Sequence, residues 1–212
     1  MCQWLIALWL PLFAHATEPR VIDRAVASIE GRVIAASQLE FEARVLLIDA
    51  GGVTAAFAPL DQQVLEASLK AIIDQRLAVL EADKLEAYPL DEGELEGAIA
   101  RFRARFGSEA RFVQFLVNHE AELTDLAEVL RRSLRAQKAL EGKLRLRATV
   151  TDADARAYVL EHADLKTAPL DKVKSMLVQK RFGELVREEL AEQRRQHDVR
   201  LLGPYAPRQG GP

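Results

Sequence analysis

Residues 24–40 read RAVASIEGRVIAASQLE. Two short apolar runs, 25–29 and 33–36, flank Glu30-Gly31-Arg32. Gly31 supplies the permissive backbone of a tight turn, so the pattern predicts a β-hairpin. Ser37 and Glu40 then form the Ser-x-x-Glu pattern of a capping box. A helix is expected from 38 to about 49, stopping at Gly51-Gly52. A two-stranded hairpin is marginal alone. The short apolar run 199–202 near the other end of the chain is the candidate third strand, and pairing it with the hairpin would close the fold.

Helical spacing fills the interval. Leu65, Leu69, Ile72, Ile73, Leu77 and Leu80 recur every three or four residues, predicting a helix from about 61 to 87 that ends before Pro89. Asp91 with Glu94 opens the next, to 106; Gly107 stops it, and Ser108 caps another to about 119. Thr124, with Glu128 nearby, opens a long helix to about 146, and Thr151-Asp152-Ala153-Asp154 a short one to about 163. Residues 164–169 read as a loop. The last helix spans about 170–196, with Val173, Leu177, Phe182, Leu185, Val186 and Leu190 in register. The Gly- and Pro-rich residues 203–212 are expected to be a disordered tail. The fold class is therefore mainly α: a multi-helix module with a small hairpin joined by a C-terminal strand.

Composition agrees with a globular protein. Of 212 residues, 49% are hydrophobic and 29% charged, and the net charge of -3 gives no global pull towards nucleic acid. The single cysteine, Cys2, excludes a disulfide framework. Both tryptophans, Trp4 and Trp9, fall in the apolar stretch 4–13 (WLIALWLPLF), which Ala14-His15-Ala16 follows. That is the pattern of an export signal cut after Ala16, although Met1-Cys2-Gln3 carries no Lys or Arg. At about 15 Å as a helix, the stretch is too short to span a bilayer core of about 30 Å. A buried N-terminal helix is the other reading. The expected organisation is a signal peptide at 1–16, a helical domain at 17–202 and the tail.

Catalytic patterns are missing. There is no His-Glu-x-x-His, no Gly-x-Ser-x-Gly and no phosphate-cradling glycine loop. His119, His162 and His197 stand apart and near predicted helix ends, so no catalytic residue, metal site or cofactor is expected. Two features remain. Phe102, Phe106, Phe112 and Phe115 lie at helical spacing on either side of Gly107. Either they form the core of a helical hairpin, or they line an apolar groove that binds client segments. Arg131, Arg132, Arg135, Lys138, Lys143, Arg145 and Arg147 form a basic run that reads as a solvated helix face or as a nucleic-acid patch.

The order of elements resembles the SurA-type periplasmic chaperones. Residues 24–40 resemble the start of that family, with Ile29-Glu30-Gly31-Arg32-Val33-Ile34 standing at its Val-Asn turn and Ser37 at its Ser cap. Residues 69–82 (LKAIIDQRLAVLEA) are similar to its long helix, and Leu90-Asp91-Glu92-Gly93-Glu94-Leu95 to a further helix start. Residues 180–202 resemble its C-terminal helix and last strand. The resemblance implies a non-catalytic periplasmic chaperone that binds unfolded exported polypeptides, such as outer-membrane protein precursors. Its partners would be polypeptides, with no nucleic acid and no metal. The family's parvulin prolyl isomerase domains are missing; only residues 164–169 occupy their place. Residual isomerase activity, or an envelope adaptor for one folded partner, are the alternative readings.

Overall fold

The computed structural model describes residues 23–207; the expected signal peptide lies outside them. β1 (Ala25–Ile29) and β2 (Arg32–Ala35) form the hairpin, turning through Glu30 and Gly31. Both turn residues have positive φ, 49° and 77°, as a right-twisted two-residue hairpin turn requires. Seven α-helices follow: α1 (Ala36–Asp49), α2 (Gln62–Lys84), α3 (Glu92–Ala104), α4 (Glu109–Asn118), α5 (Leu123–Leu144), α6 (Asp152–Glu161) and α7 (Leu170–Gln196). β3 (Val199–Leu201) pairs antiparallel with β1, giving a three-stranded sheet in the order β2-β1-β3. The mainly α fold and the closing third strand are as the sequence predicts. Among the described residues, no helix is long and apolar enough to cross a membrane.

α1 separates two hydrophobic clusters. Leu39 joins the sheet residues Val26, Ile29 and Ile34 and the α2 residues Leu69, Ile72, Ile73 and Leu77. Phe41, Val45 and Ile48, on the same helix, join the phenylalanines of α3 and α4 and Leu126, Val129 and Leu130 of α5. A helix buried on two faces has little room for charge, yet Glu42 is buried at its centre. Its Oε1 accepts from Arg76 Nη2 of α2 at 2.8 Å, and its Oε2 lies 2.7 Å from Arg132 Nη2 of α5. The second contact is close but poorly aligned for a hydrogen bond. Beside it, buried Arg44 donates from Nη1 to the carbonyls of Ala55 and Ala58, at 2.5 and 2.7 Å, and so fastens the segment after α1.

Local caps explain most boundaries. Asp61 accepts from Val64 N at 2.8 Å; Asp91 with Glu94, and Thr151 with Asp154, form reciprocal capping boxes. Three expectations shift. α1 starts at Ala36, and Ser37 is not its cap: Asp23, upstream of the hairpin, accepts from Ser37 N at 3.2 Å and from its hydroxyl. α5 is capped by Glu122 and Asp125, not by Thr124. The tail expected from residue 203 begins with an ordered turn, Gly203–Tyr205, because Tyr205 packs on the sheet cluster.

Two predictions follow from burial and charge. Glu42→Gln should lower unfolding free energy by about 3 kcal/mol, since it leaves two buried guanidiniums facing each other; a loss below about 1 kcal/mol in urea denaturation would refute the role. Hydrogen bonds from His197 and Asp198 hold Glu30 below its ordinary value, and those from Lys84 and His197 do the same for Glu81. A lowered carboxylate stabilises the fold above its ordinary pKa and ceases to do so as pH falls through its folded value. Thermal stability should therefore drop with pH below the ordinary value of 4.5. Glu30→Gln should flatten that acid slope.

Candidate functional site

The four phenylalanines do not line a groove. Phe102, Phe106, Phe112 and Phe115 are 0–3% exposed and pack as one cluster. Ring centroids of Phe106 lie 5.6 Å from Phe102, 5.7 Å from Phe112 and 5.3 Å from Phe115. A fifth ring, Phe41 of α1, stacks on Phe115 at 5.9 Å. In this conformation the rings are core, which is the first of the two readings of these residues, and almost none of their surface is open to a client segment. The apolar side chains that α4 does expose are Val113 and Val117, 46% and 69% exposed, one helical turn apart.

The basic run is neither a bare solvated face nor a free cationic stripe. Arg131 pairs with Glu128 within α5. Arg132 reaches Glu42 of α1, Arg135 reaches Asp83 of α2, Lys138 reaches Glu94 of α3 and Lys143 reaches Glu189 of α7, all at 2.6–2.7 Å. These residues tie α5 to four other helices.

An open, largely apolar cleft lies between α5 and α7. α7 runs 27 residues, and only Val173 and Gln193 of it are buried. Its neighbours leave a cleft of about 380 Å³, with Ala71 of α2, Ala136 and Leu140 of α5, and Phe182, Val186 and Leu190 of α7 on its walls. A second cleft, of about 370 Å³, continues past Phe182 to Val178 and Ala148. The two adjoin at Glu141 and Phe182, and together these clefts, called the α5–α7 channel below, follow α7 from Leu190 to Val178, about 18 Å at 1.5 Å per residue. Charge rims it. Asp74 accepts from Arg194 Nε at 2.7 Å, and Lys143 bridges to Glu189 at 2.6 Å. Arg181 donates to Thr149 O at 3.0 Å. The apolar register of α7 was legible in the sequence, but the clefts between helices were not.

The histidines serve structure. His119 ends α4 against Phe115 and Phe41. His162 stacks on Tyr158, with ring centroids 3.7 Å apart. His197, near a predicted helix end in the sequence, is the C-cap of α7 and is buried between Glu30, 2.8 Å from its Nδ1, and Glu81, 2.9 Å from its Nε2. The carboxylates approach opposite ring nitrogens, so the trio does not converge on a point. Among the described residues no group of three or more His, Cys, Asp or Glu is placed to hold a metal ion. No protein-family model matches the chain, and no curated protein matches it.

Burial separates the two aromatic sets energetically. Phe115→Ala should cost about 3–5 kcal/mol, while half-buried Phe182→Ala should cost about 1 kcal/mol or less. Chemical denaturation of both variants checks the difference; equal losses would mean that the channel is a packed core.

Proposed function

We propose that the protein is a non-catalytic, exported chaperone that holds unfolded polypeptides along the α5–α7 channel. The observation that carries this is the channel itself: apolar walls, charged rims, and a length suited to several residues of an extended segment. Many weak apolar contacts suit clients of varied sequence better than one shaped pocket does. No residue of α7 belongs to either hydrophobic cluster, so modest displacement of the helix can widen the channel without opening them.

The order of elements supports the reading too. A hairpin, a capped helix, a helical body, a long last helix and a closing strand follow one another as in the SurA-type chaperones. Export rests on residues 4–16, outside the described part of the chain. The clients would be unfolded exported proteins, outer-membrane precursors among them. No isomerase chemistry is proposed, since residues 164–169 leave no space for such a domain between α6 and α7.

The test is light scattering as a denatured outer-membrane barrel protein is diluted into buffer. An equimolar amount of the protein should suppress aggregation. The double variant Phe182→Glu/Val186→Glu should lose the effect while keeping its helical circular dichroism. Suppression unchanged by the double variant would remove the channel from the mechanism, and no suppression by the unaltered protein would remove the function. N-terminal sequencing of exported protein should begin at Thr17.

A further inference from the structure

A further opening, of about 150 Å³, lies between the hairpin turn, α2 and α5. Ile29, Val79 and Leu80 form its apolar wall; Arg32, Arg76, Arg132 and Asp83 form the polar one. Three guanidiniums from three separate elements therefore meet at one small cavity.

The carboxylates nearby do not balance them. Glu42 is shared by Arg76 and Arg132, and Asp83 is paired at 2.7 Å with a fourth guanidinium, Arg135. Arg32 is exposed on β2 and enters no ion pair among the described residues. The three lining arginines and Arg135 thus meet two carboxylates at this cavity, while Glu128, which also acts on Arg132, is itself paired with Arg131. The forks are also short of acceptors: Arg76 Nε, Arg132 Nε and Arg132 Nη2 are buried with no aligned hydrogen-bond partner. Burial pushes the Arg132 guanidinium below its ordinary value; Glu42 and, after it, Glu128 oppose this, and Arg76 adds to it. Arginine keeps its proton even so, and the surplus positive charge stays in place. The side chains of Arg76 and Arg132 remain 16% and 19% exposed, so an approach from the open side is left.

We propose that this cavity binds a single oxyanion group, a carboxylate or phosphate-type head held by Arg32, Arg76 and Arg132. Planar guanidinium forks match such oxygens in pairs, and Ile29, Val79 and Leu80 accommodate a short apolar stem beside the head. The size of the cavity limits the ligand to one such head. The head belongs either to a free oxyanion or to the terminal carboxylate of a polypeptide. The site is separate from the α5–α7 channel and stands whether or not the channel holds clients.

Calorimetry on the full chain at fixed ionic strength, with chloride as the balancing ion, tests this. Three probes are used: inorganic phosphate, a short peptide ending in an apolar residue with a free carboxylate, and its amidated twin. Saturable binding is expected for phosphate, for the free-acid peptide, or for both, and not for the amide. Binding of the free acid alone assigns the site to polypeptide termini; binding of phosphate alone assigns it to free oxyanions. Arg32→Gln, which removes an exposed and unpaired residue, should weaken the affinity about tenfold. Arg147→Gln, an exposed residue outside the cavity, should leave it unchanged. No saturable binding of either anionic probe, or equal effects of the two substitutions, would overturn the proposal.

Discussion

The Glu42 carboxylate, shared by Arg76 and Arg132, fixes how α1, α2 and α5 meet. α1 lies between two hydrophobic clusters and cannot present a polar face to water along its middle. A buried carboxylate left alone there would cost several kcal/mol; paired, it confines α2 and α5 to one register against α1. Apolar packing by itself is tolerant of small slides between helices. An ion pair at 2.7–2.8 Å is not, because a shift of one helical position would bury a charge without its partner. The same point sets the electrostatics of the molecule, since one anion between two cations leaves positive charge directed towards the hairpin side of α5.

α7 obeys a different rule. It is long, strongly charged and buried at only two positions, so little of it is sealed into a core. Its C-terminal end is fastened by Arg194 to Asp74 and Lys70, then by His197 between Glu30 and Glu81. Its N-terminal part is fastened by Lys174 to Asp152 of α6. Exposed ion pairs of this kind contribute at most about 1 kcal/mol each. The middle of the helix therefore rests on half-filled apolar contacts to α5, which is why a cleft persists there and not at the phenylalanine cluster.

Much of this was legible in the sequence. The hairpin signal, the last strand and the span of α7 each depend on near neighbours, such as Gly31 at the turn and the three- and four-residue spacing of Val173, Leu177 and Phe182. The mistakes concern partners distant along the chain. Ser37 looks like a cap until Asp23 folds back to supply one. The basic run looks like a surface feature until Glu42, Asp83, Glu94 and Glu189 arrive from four helices. His197 is legible as a residue near a helix end, but its burial is not, because its carboxylates are Glu30 and Glu81, more than a hundred positions away. Periodicity tells which face of a helix is apolar. It does not tell whether a neighbour covers that face, and so Phe102–Phe115 and Phe182 could not be ranked by exposure beforehand.

The sheet gives the topology a further property. β1, near the start of the described chain, is central and pairs on one side with β2 and on the other with β3 from the far end. Both ends of the folded body are thereby fixed at one place, by ladder bonds and by the Leu202 N to Val26 O bond of 2.9 Å. Everything between them forms a closed excursion. The connection after α6 lies on the surface, with Asp164, Lys166, Thr167 and Pro169 exposed, and neither hydrophobic cluster depends on it. Lengthening a surface connection costs little, because closure entropy grows only with the logarithm of its length. A helical frame closed by its last strand is thus suited to carry or to lose an insertion at that connection, while the Glu42 junction and the α5–α7 channel keep their geometry.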